Sequence, residues 1–244
     1  MTSAILACAA LAASATEIDH PAEKRKFNLP PSADLGYSIR AQQSGLLLSG
    51  NATLKWNVTG NAFQIDTETR AQLLGKILSE KSTGAIDEFG LAPVNFTEKR
   101  FRKDATTTLF DRQSKLISFS TNGDTYAIKG GEQDRNSAIW QLIAVARAAP
   151  GKFRENSQWN FFVAGQHDAE LWSFKVGKPE SIRTPLGEMN AVHVIKMPPP
   201  DAKEQQIDIW LAPSLEWYPV RLRFTEQNGD YIEQLLDNVA KSGT

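Results

Sequence analysis

The stretch Gln133–Gly151, QDRNSAIWQLIAVARAAPG, contains the one long helical pattern in a chain that otherwise consists of strand-like segments. Its apolar residues recur at the spacing i, i+3, i+4 and i+7, which places them on one face of a helix; they are Ile139, Leu142, Ile143 and Ala146. A helix of about 12 residues is too short to be stable alone and must pack on other elements. The strands on either side are the expected partners.

The residues that flank this pattern mark the two ends of the helix. Asp134, Asn136 and Ser137 precede it, and any of them can accept hydrogen bonds from the free N–H groups of the first turn. Pro150 and Gly151 follow it, and they end the helix because proline has no N–H and glycine readily leaves the helical conformation. The sequence therefore predicts a helix over residues 137–148.

Composition and charge indicate a globular domain and argue against some classes of partner. The chain has 244 residues, of which 41% are hydrophobic and 23% charged, and its formal net charge is −1. This balance is typical of a globular domain and argues against a nucleic-acid partner or a polybasic membrane partner, since no surplus of Lys and Arg exists to neutralise phosphates. After the N-terminus no apolar run reaches about 18 residues, so no transmembrane span is predicted.

The N-terminal segment resembles an export signal. A short apolar run precedes Ala13-Ser14-Ala15, which is the A-x-A pattern that signal peptidase cuts, so residues 1–15 are predicted to be a signal peptide and the protein periplasmic. The usual positive start is missing, because the first basic residue is Lys24. A disordered tail is the alternative. The residues before Cys8 loosely resemble a lipoprotein cleavage box, and a lipid anchor on Cys8 is the less favoured interpretation.

Residues 16–33 are charged and rich in proline, as in a linker, and residues 34–244 form a single predicted domain of strands joined by short turns. The stretch Arg70–Thr83 fits a helix or a strand, and we favour the strand. The segments 86–101 and 180–197 are each predicted to be one strand. Asn228–Gly229 predicts a type I′ hairpin turn, which needs positive φ at both central residues.

Several short motifs, taken in order, resemble one bacterial family. They are QDRNS and PG at the two ends of the helix, followed by WNFFV, TPLG, IWLAP, YPVRLRF and QNG. Together they resemble the bacterial domain of unknown function family 3108 from Asp34 to the C-terminus. The resemblance implies a mainly β protein exported to the Gram-negative cell envelope, with an antiparallel curved sheet or incomplete β-barrel around one central helix. It also implies a distant similarity of fold to periplasmic lipoprotein-carrier proteins, and it transfers no catalytic residue.

The polar cluster Gln133, Asp134 and Arg135 is the first candidate site. It can form a ligand- or partner-binding patch at the helix N-terminus, where free N–H groups favour an anion. The alternative, which we favour, is a helix cap with an Asp–Arg pair that seats the helix in the sheet.

The six tryptophans are the second candidate feature; they are Trp56, Trp140, Trp159, Trp172, Trp210 and Trp217. They can line an apolar pocket for a lipid-like ligand, or they can fill the core of a curved sheet, which we favour. Trp140 and Trp210 are the candidate contact residues. Trp210 alternates with Ile207 and Ile209 and is therefore predicted to point away from them.

No catalytic motif, cofactor or metal site is predicted. His20, His167 and His193 lie in separate contexts, and His193 is interpreted as a sheet residue that faces solvent or a partner. The predicted function is a non-enzymatic periplasmic protein that binds an apolar, lipid-like ligand or an envelope protein. The main alternative is a structural or assembly role without a small ligand. A glycan hydrolase is the third, and it would need paired carboxylates such as Asp168 and Glu170.

Overall fold

The computed structural model describes residues 20–196 and 205–241. The predicted signal peptide at residues 1–15 and Cys8 lie outside the described residues and stay predictions, as does the division of the chain into leader, linker and domain. None of the helices among the described residues is long and apolar enough to cross a membrane.

Fifteen strands and one α-helix make up the described chain, together with a 3-10 turn. The strands are β1 (Ala33–Gln43), β2 (Leu46–Thr59), β3 (Ala62–Ala71), β4 (Gly75–Asp87), β5 (Gly90–Arg100), β6 (Thr106–Asp111), β7 (Leu116–Phe119), β8 (Thr125–Ala127), β9 (Gln133–Asp134), β10 (Gln158–Ala164), β11 (Ala169–Thr184), β12 (Gly187–Lys196), β13 (Gln206–Leu211), β14 (Pro219–Thr225) and β15 (Tyr231–Lys241). The helix α1 is Ser137–Ala148, between β9 and β10, and the 3-10 turn is Pro213–Leu215.

All fifteen strands belong to one sheet, and the first strand, β1, lies at its centre. Its order is β8-β7-β6-β5-β4-β3-β2-β1-β15-β14-β13-β12-β11-β10-β9, and every neighbouring pair is antiparallel except β9 with β10. Strands β1 to β8 follow one another from the centre of the sheet to one edge. The chain then crosses to the other edge, where β9 and α1 lie, and strands β10 to β15 lead back to the centre, where β15 pairs with β1. Only five residues separate β8 from β9, so the two edges lie close together without pairing. The sheet is a curved, incomplete β-barrel, as the resemblance implied.

Helix α1 is buried by this sheet on nearly all sides, at the bounds that the sequence predicts. Nine of its twelve residues are buried, although the sequence pattern indicated a single apolar stripe. The Trp140 ring stacks on the Trp56 ring of β2 with centroids 4.4 Å apart, and its edge contacts Tyr218. Trp140 therefore belongs to the core that joins the helix to the sheet.

Two segments predicted to be single strands are each split by a tight turn. In segment 86–101, Glu88 and Phe89 form the turn, since the Asp87 carboxylate accepts the Phe89 N–H and Gly90 takes a φ of +110°. In segment 180–197, Pro185 and Leu186 form the turn before Gly187. The prediction was wrong at both places, because an Asx turn and a proline turn reverse the chain within a segment that was predicted to be one strand.

Two other local predictions have opposite outcomes. Arg70–Thr83 is strand, as favoured, with β3 and β4 joined by a turn at residues 72–74. The type I′ turn at Asn228–Gly229 is wrong, because only Gly229 has a positive φ, of 86°. The Glu226 carbonyl accepts the Gly229 N–H and the Glu226 N–H donates to the Asp230 carbonyl, as in a longer loop built on a type I turn.

The Trp56–Trp140 stack predicts a large effect of truncation at the helix. We expect Trp140→Ala to lower the free energy of unfolding by about 3–5 kcal/mol, because it leaves a cavity at the helix–sheet contact. Urea unfolding measures this change. Leu73→Ala, at a leucine that is 89% exposed, serves as the control and should stay within about 0.5 kcal/mol of the native protein. A loss below about 1 kcal/mol for Trp140→Ala would show that this contact does not hold the helix.

Candidate functional site

The helix N-terminus is capped from within the chain by Asp134. The Asp134 carboxylate accepts the N–H groups of Asn136 at 2.9 Å and Ser137 at 2.8 Å, and the Ser137 hydroxyl accepts the Asp134 N–H at 2.9 Å. The Ser82 hydroxyl of β4 donates to the second carboxylate oxygen. Asp134 and Ser137 thus bind each other reciprocally, as in a capping box, and two N–H groups at the start of the helix already have a partner within the chain.

Gln133 and Gln141 tie the helix to the start of β5. The Gln133 amide donates to the Leu91 carbonyl at 2.7 Å, while the Gln141 side chain accepts the Leu91 N–H and donates to the Phe89 carbonyl, both at 2.9 Å. A Cβ built on Gly90 would lie 2.4 Å from Gln141 Oε1, so only glycine fits beside this amide. Gln133 and Asp134 are both fully buried.

Arg135 is separate from this network. Its guanidinium packs against Gly165, where a Cβ would lie 2.7 Å from Nη2. Among residues 20–196 and 205–241 no ion pair joins Arg135 to Asp134, so the expected Asp–Arg pair is wrong; Ser82, Asn136 and Ser137 already bind that carboxylate. Ligand contact through Gln133, Asp134 or Arg135 stays a prediction.

A pair of glutamates, one buried and one half-buried, lies beside this cap, and sequence reasoning missed it. Glu80 of β4 and Glu98 of β5 are directly opposite each other in the register. Glu98 is 2% exposed and accepts hydrogen bonds from Arg100 and Gln166 on Oε1, while its Oε2 has no partner. No sequence signal could have paired the two glutamates, because the pairing depends on the register between β4 and β5.

Burial controls the charge states of Glu80 and Asp134. Burial, reinforced by the charges of Glu98 and Asp134, raises the pKa of Glu80 to about 8, although Arg100 and Arg135 oppose the shift. Burial also raises the pKa of Asp134 to about 6, against the hydrogen bonds from Ser82, Ser137 and Asn136 that lower it. Near neutral pH the Glu80 carboxyl therefore keeps its proton and can act as a donor inside the sheet.

Trp210 belongs to a packed cluster on the opposite face of the sheet from Ile207 and Ile209. Its ring stacks on the His193 imidazole at 4.4 Å, the Arg221 guanidinium lies 4.4 Å from its centroid, and its Nε1 donates to Glu180 at 2.9 Å. Trp210 is only 5% exposed. The cluster forms because His193, Trp210 and Arg221 are neighbours across three strands.

His193 lies between two carboxylates in this cluster. Its Nδ1 is 3.1 Å from Glu180 Oε1 and its Nε2 is 2.8 Å from Asp208 Oδ1. Burial would raise the pKa of Asp208, but the hydrogen bonds from His193 and Gln206 and the charges of His193 and Arg223 outweigh it and lower that pKa. Among the described residues no group of three or more His, Cys, Asp or Glu side chains could hold a metal ion.

The open seam between the two sheet edges is bridged by side chains. The Thr108 hydroxyl of β6 donates to the Gly165 carbonyl at 2.6 Å, and the Asn122 amide donates to the His167 carbonyl at 2.8 Å. A second apolar cluster spans the same seam, with Phe110, Ile117, Phe119 and Tyr126 on one side and Phe162, Ala164 and Ala169 on the other.

Residues 20–32, which we call the lead-in segment, run along this seam. The His20 ring stacks on Phe162 at 3.9 Å and its Nε2 donates to the Ala127 carbonyl, and Arg25 donates to the Asn160 carbonyl at 2.8 Å. Farther on, the Asn28 N–H donates to the Ala144 carbonyl at the end of α1. The segment therefore covers the helix and the seam together.

A cavity of about 80 Å³ remains beneath the lead-in segment. Its apolar wall consists of Phe89, Phe161, Phe162 and Leu171, and its polar wall includes Arg25 and Glu132. The Arg25 guanidinium lies 5.0 Å from the Phe161 centroid, so a cation stands beside the aromatic wall. Trp140 and Trp210 do not line this cavity.

Comparison with known proteins gives a family match and similarities of fold. The family model described as Protein of unknown function (DUF3108) matches residues 37–237. A β-barrel-like protein of the domain of unknown function DUF1849 from Brucella abortus is similar in structure, with a TM-score of 0.59 and 13% identity over 89% of this chain and 100% of that chain.

A domain from Vibrio parahaemolyticus whose name assigns it to outer membrane lipoprotein sorting matches with a TM-score of only 0.28 and 7% identity, over 88% of this chain and 87% of that chain. No curated protein matches the chain. The comparisons therefore support the fold and leave the ligand open.

The Glu80–Glu98 pair predicts a specific dependence of stability on pH. Since the folded-state pKa of Glu80 is raised, the folded state keeps a proton that the unfolded state releases, and the free energy of unfolding should fall as pH rises from about 4.5 to about 8. Glu80→Gln stays neutral, so its profile should be flatter, with a gain of about 1–2 kcal/mol over the native protein near pH 9. Urea unfolding across this pH range measures both profiles.

The exposed Glu155 supplies the control for this test. Glu155→Gln should leave the pH profile of the native protein unchanged. A Glu80→Gln profile that runs parallel to the native one would show that Glu80 is not the titrating group.

Proposed function

This chain belongs to the DUF3108 family of proteins of unknown function, and we propose that it is a non-enzymatic periplasmic protein that binds an apolar, lipid-like ligand. The cavity beneath the lead-in segment is the observation that carries this proposal, because it combines an aromatic wall with the Arg25 cation; the carboxylates of Glu23 and Glu132 also line it. Ligand sites of this kind are mostly apolar with a few polar groups that fix orientation. An acyl chain with an anionic head has the matching chemistry.

The ligand would place its acyl chain against Phe89, Phe161, Phe162 and Leu171, and its head group beside Arg25. The Arg25 guanidinium now contacts the Glu23 carboxylate, which occupies the position that an anionic head group would take. Glu23 is about half exposed on its side chain, 53%, so water can replace the Arg25 guanidinium as its partner. Exchange of one carboxylate for another would leave Arg25 paired in both states.

A longer acyl chain requires the lead-in segment to move. The present cavity of about 80 Å³ is smaller than the roughly 300–1,000 Å³ typical of sites for drug-sized ligands. The lead-in segment has no regular secondary structure, and between residues 20 and 25 it is attached mainly by His20, Lys24 and Arg25. Helix α1 is buried on nearly all sides, so the lead-in segment is the element that would lift.

A structural or assembly role without a small ligand is the second candidate, and the filled core favours it. Trp140 is 1% exposed and Trp210 is 5% exposed, and both are packed against other rings, so the tryptophans do not leave a large apolar pocket open. In that role the candidate residues would not contact a protein partner directly and would only hold in place the surface that does. They are Gln133, Asp134, Arg135, Trp140 and Trp210.

A cavity-filling substitution separates the two candidates. Leu171 lines the cavity and is 49% exposed, so Leu171→Trp can fill the cavity without disturbing the core. We expect it to weaken oleate binding, measured by titration calorimetry, by about tenfold or more because the added ring occupies the volume of the acyl chain.

Leu109→Trp is the matched control, since Leu109 is 44% exposed and does not line the cavity. It should bind oleate like the native protein, and so should Trp210→Ala. The absence of oleate binding to the native protein would favour the role without a small ligand. Native affinity in Leu171→Trp would exclude this cavity as the site.

A further inference from the structure

Three adjacent hairpin tips at one end of the sheet expose large apolar side chains. The tips are residues 44–48, 72–76 and 99–103, which we call the leucine rim. Its exposed apolar residues are Leu46, Leu47, Leu48, Leu73, Leu74 and Phe101, with Leu73 at 89% and Leu47 at 80% exposure. The Gln72 N–H donates to the Ser49 carbonyl and the Phe101 N–H donates to the Ile77 carbonyl, so the tips stand side by side.

Most of these side chains add little to the core. They lie beyond the buried parts of β1 to β5, and their exposure is far greater than that of the leucines in the core. Single exposed leucines are common on protein surfaces, but a group of six large apolar residues at adjacent tips indicates an interaction surface. The strands that carry the tips are paired on both sides, so no free strand edge is offered to a protein partner.

Cationic side chains surround the leucine rim. The rim and its flanking strand ends carry six basic residues, Arg70, Lys76, Lys99, Arg100, Arg102 and Lys103, and three acidic ones, Glu68, Glu98 and Asp104. The Asp230 carboxylate also reaches the first tip, where it accepts the Ser44 N–H. Arg70 and Lys76 pair with Glu68, and Arg100 pairs with Glu98. Lys99, Arg102 and Lys103 are exposed, and no carboxylate of the described chain lies within ion-pair distance of them. The Lys99 ammonium donates to the Lys103 carbonyl, and the Arg102 guanidinium lies 4.9 Å from the Phe101 centroid.

We propose that the leucine rim docks the protein on an anionic phospholipid bilayer. Protruding apolar tips ringed by Lys and Arg match the boundary between acyl chains and phosphate groups, where apolar side chains insert and cations contact phosphates. A row of hairpin tips with apolar ends and flanking cations suits the surface of an anionic bilayer, where the apolar ends insert and the cations meet phosphates. The net charge of −1 argued against a polybasic membrane partner for the whole chain, but it does not describe this one end.

Vesicle sedimentation tests the proposal in the full chain with Cys8→Ala, so that no lipid on Cys8 contributes. Vesicles of phosphatidylethanolamine and phosphatidylglycerol should bind the protein, vesicles of phosphatidylcholine alone should bind it weakly, and added salt should reduce binding. We expect the double variant Leu47→Asp with Leu73→Asp to lose about tenfold or more in binding. Both positions are exposed, so thermal unfolding should show an unchanged fold.

Leu186→Asp is the matched control, because Leu186 is 43% exposed in the β11–β12 turn at the opposite end of the sheet. It should bind vesicles like the parent protein. Equal loss in Leu186→Asp and in the double variant would overturn the proposal, because added negative charge alone would explain it. Absence of binding to anionic vesicles would also overturn it.

The vesicle test is independent of the proposed cavity ligand. Leu171→Trp should bind vesicles normally, and the double variant at the leucine rim should bind oleate normally, so each proposal can fail without the other.

Discussion

A sheet that does not close on itself must cover its concave face with something other than its own strands, and helix α1 does so here. The helix buries nine of its twelve residues, and the Trp56–Trp140 stack joins it to the middle of the sheet. Its N-terminus is held by the Asp134 carboxylate and its middle by Gln141, so both its position and its rotation are set by hydrogen bonds to β4 and β5. The rest of the fold is arranged around this buried helix.

Because the helix occupies the interior, the seam between the sheet edges is where the structure retains space. Side chains bridge the seam and the lead-in segment lies across it, leaving a small cavity with an aromatic wall. This division of roles explains how one fold can combine a rigid core with a proposed binding site. The leucine rim lies away from the seam, at the tips of strands β1 to β6, where its exposed side chains lie outside the core.

The sequence predicted the helix to the residue because its apolar spacing and its flanking Asp, Ser, Pro and Gly residues all agree. It predicted a continuous strand across Glu88–Phe89 and across Pro185–Leu186, and each of these pairs forms a turn. The Glu80–Glu98 pair and the His193–Trp210 stack were beyond sequence reasoning, since both depend on the register of neighbouring strands. The contacts of the lead-in segment were also beyond sequence reasoning, because they are to residues far along the chain.

In the proposed function, the lead-in segment moves for a ligand while helix α1 stays fixed. Hydrogen exchange measured by mass spectrometry, with and without oleate, tests it directly. Oleate should change the exchange of residues 20–32 and leave the amides of Ser137–Ala148 protected. Loss of protection in the helix together with the lead-in segment would contradict it, because the ligand would then enter the core and not the seam.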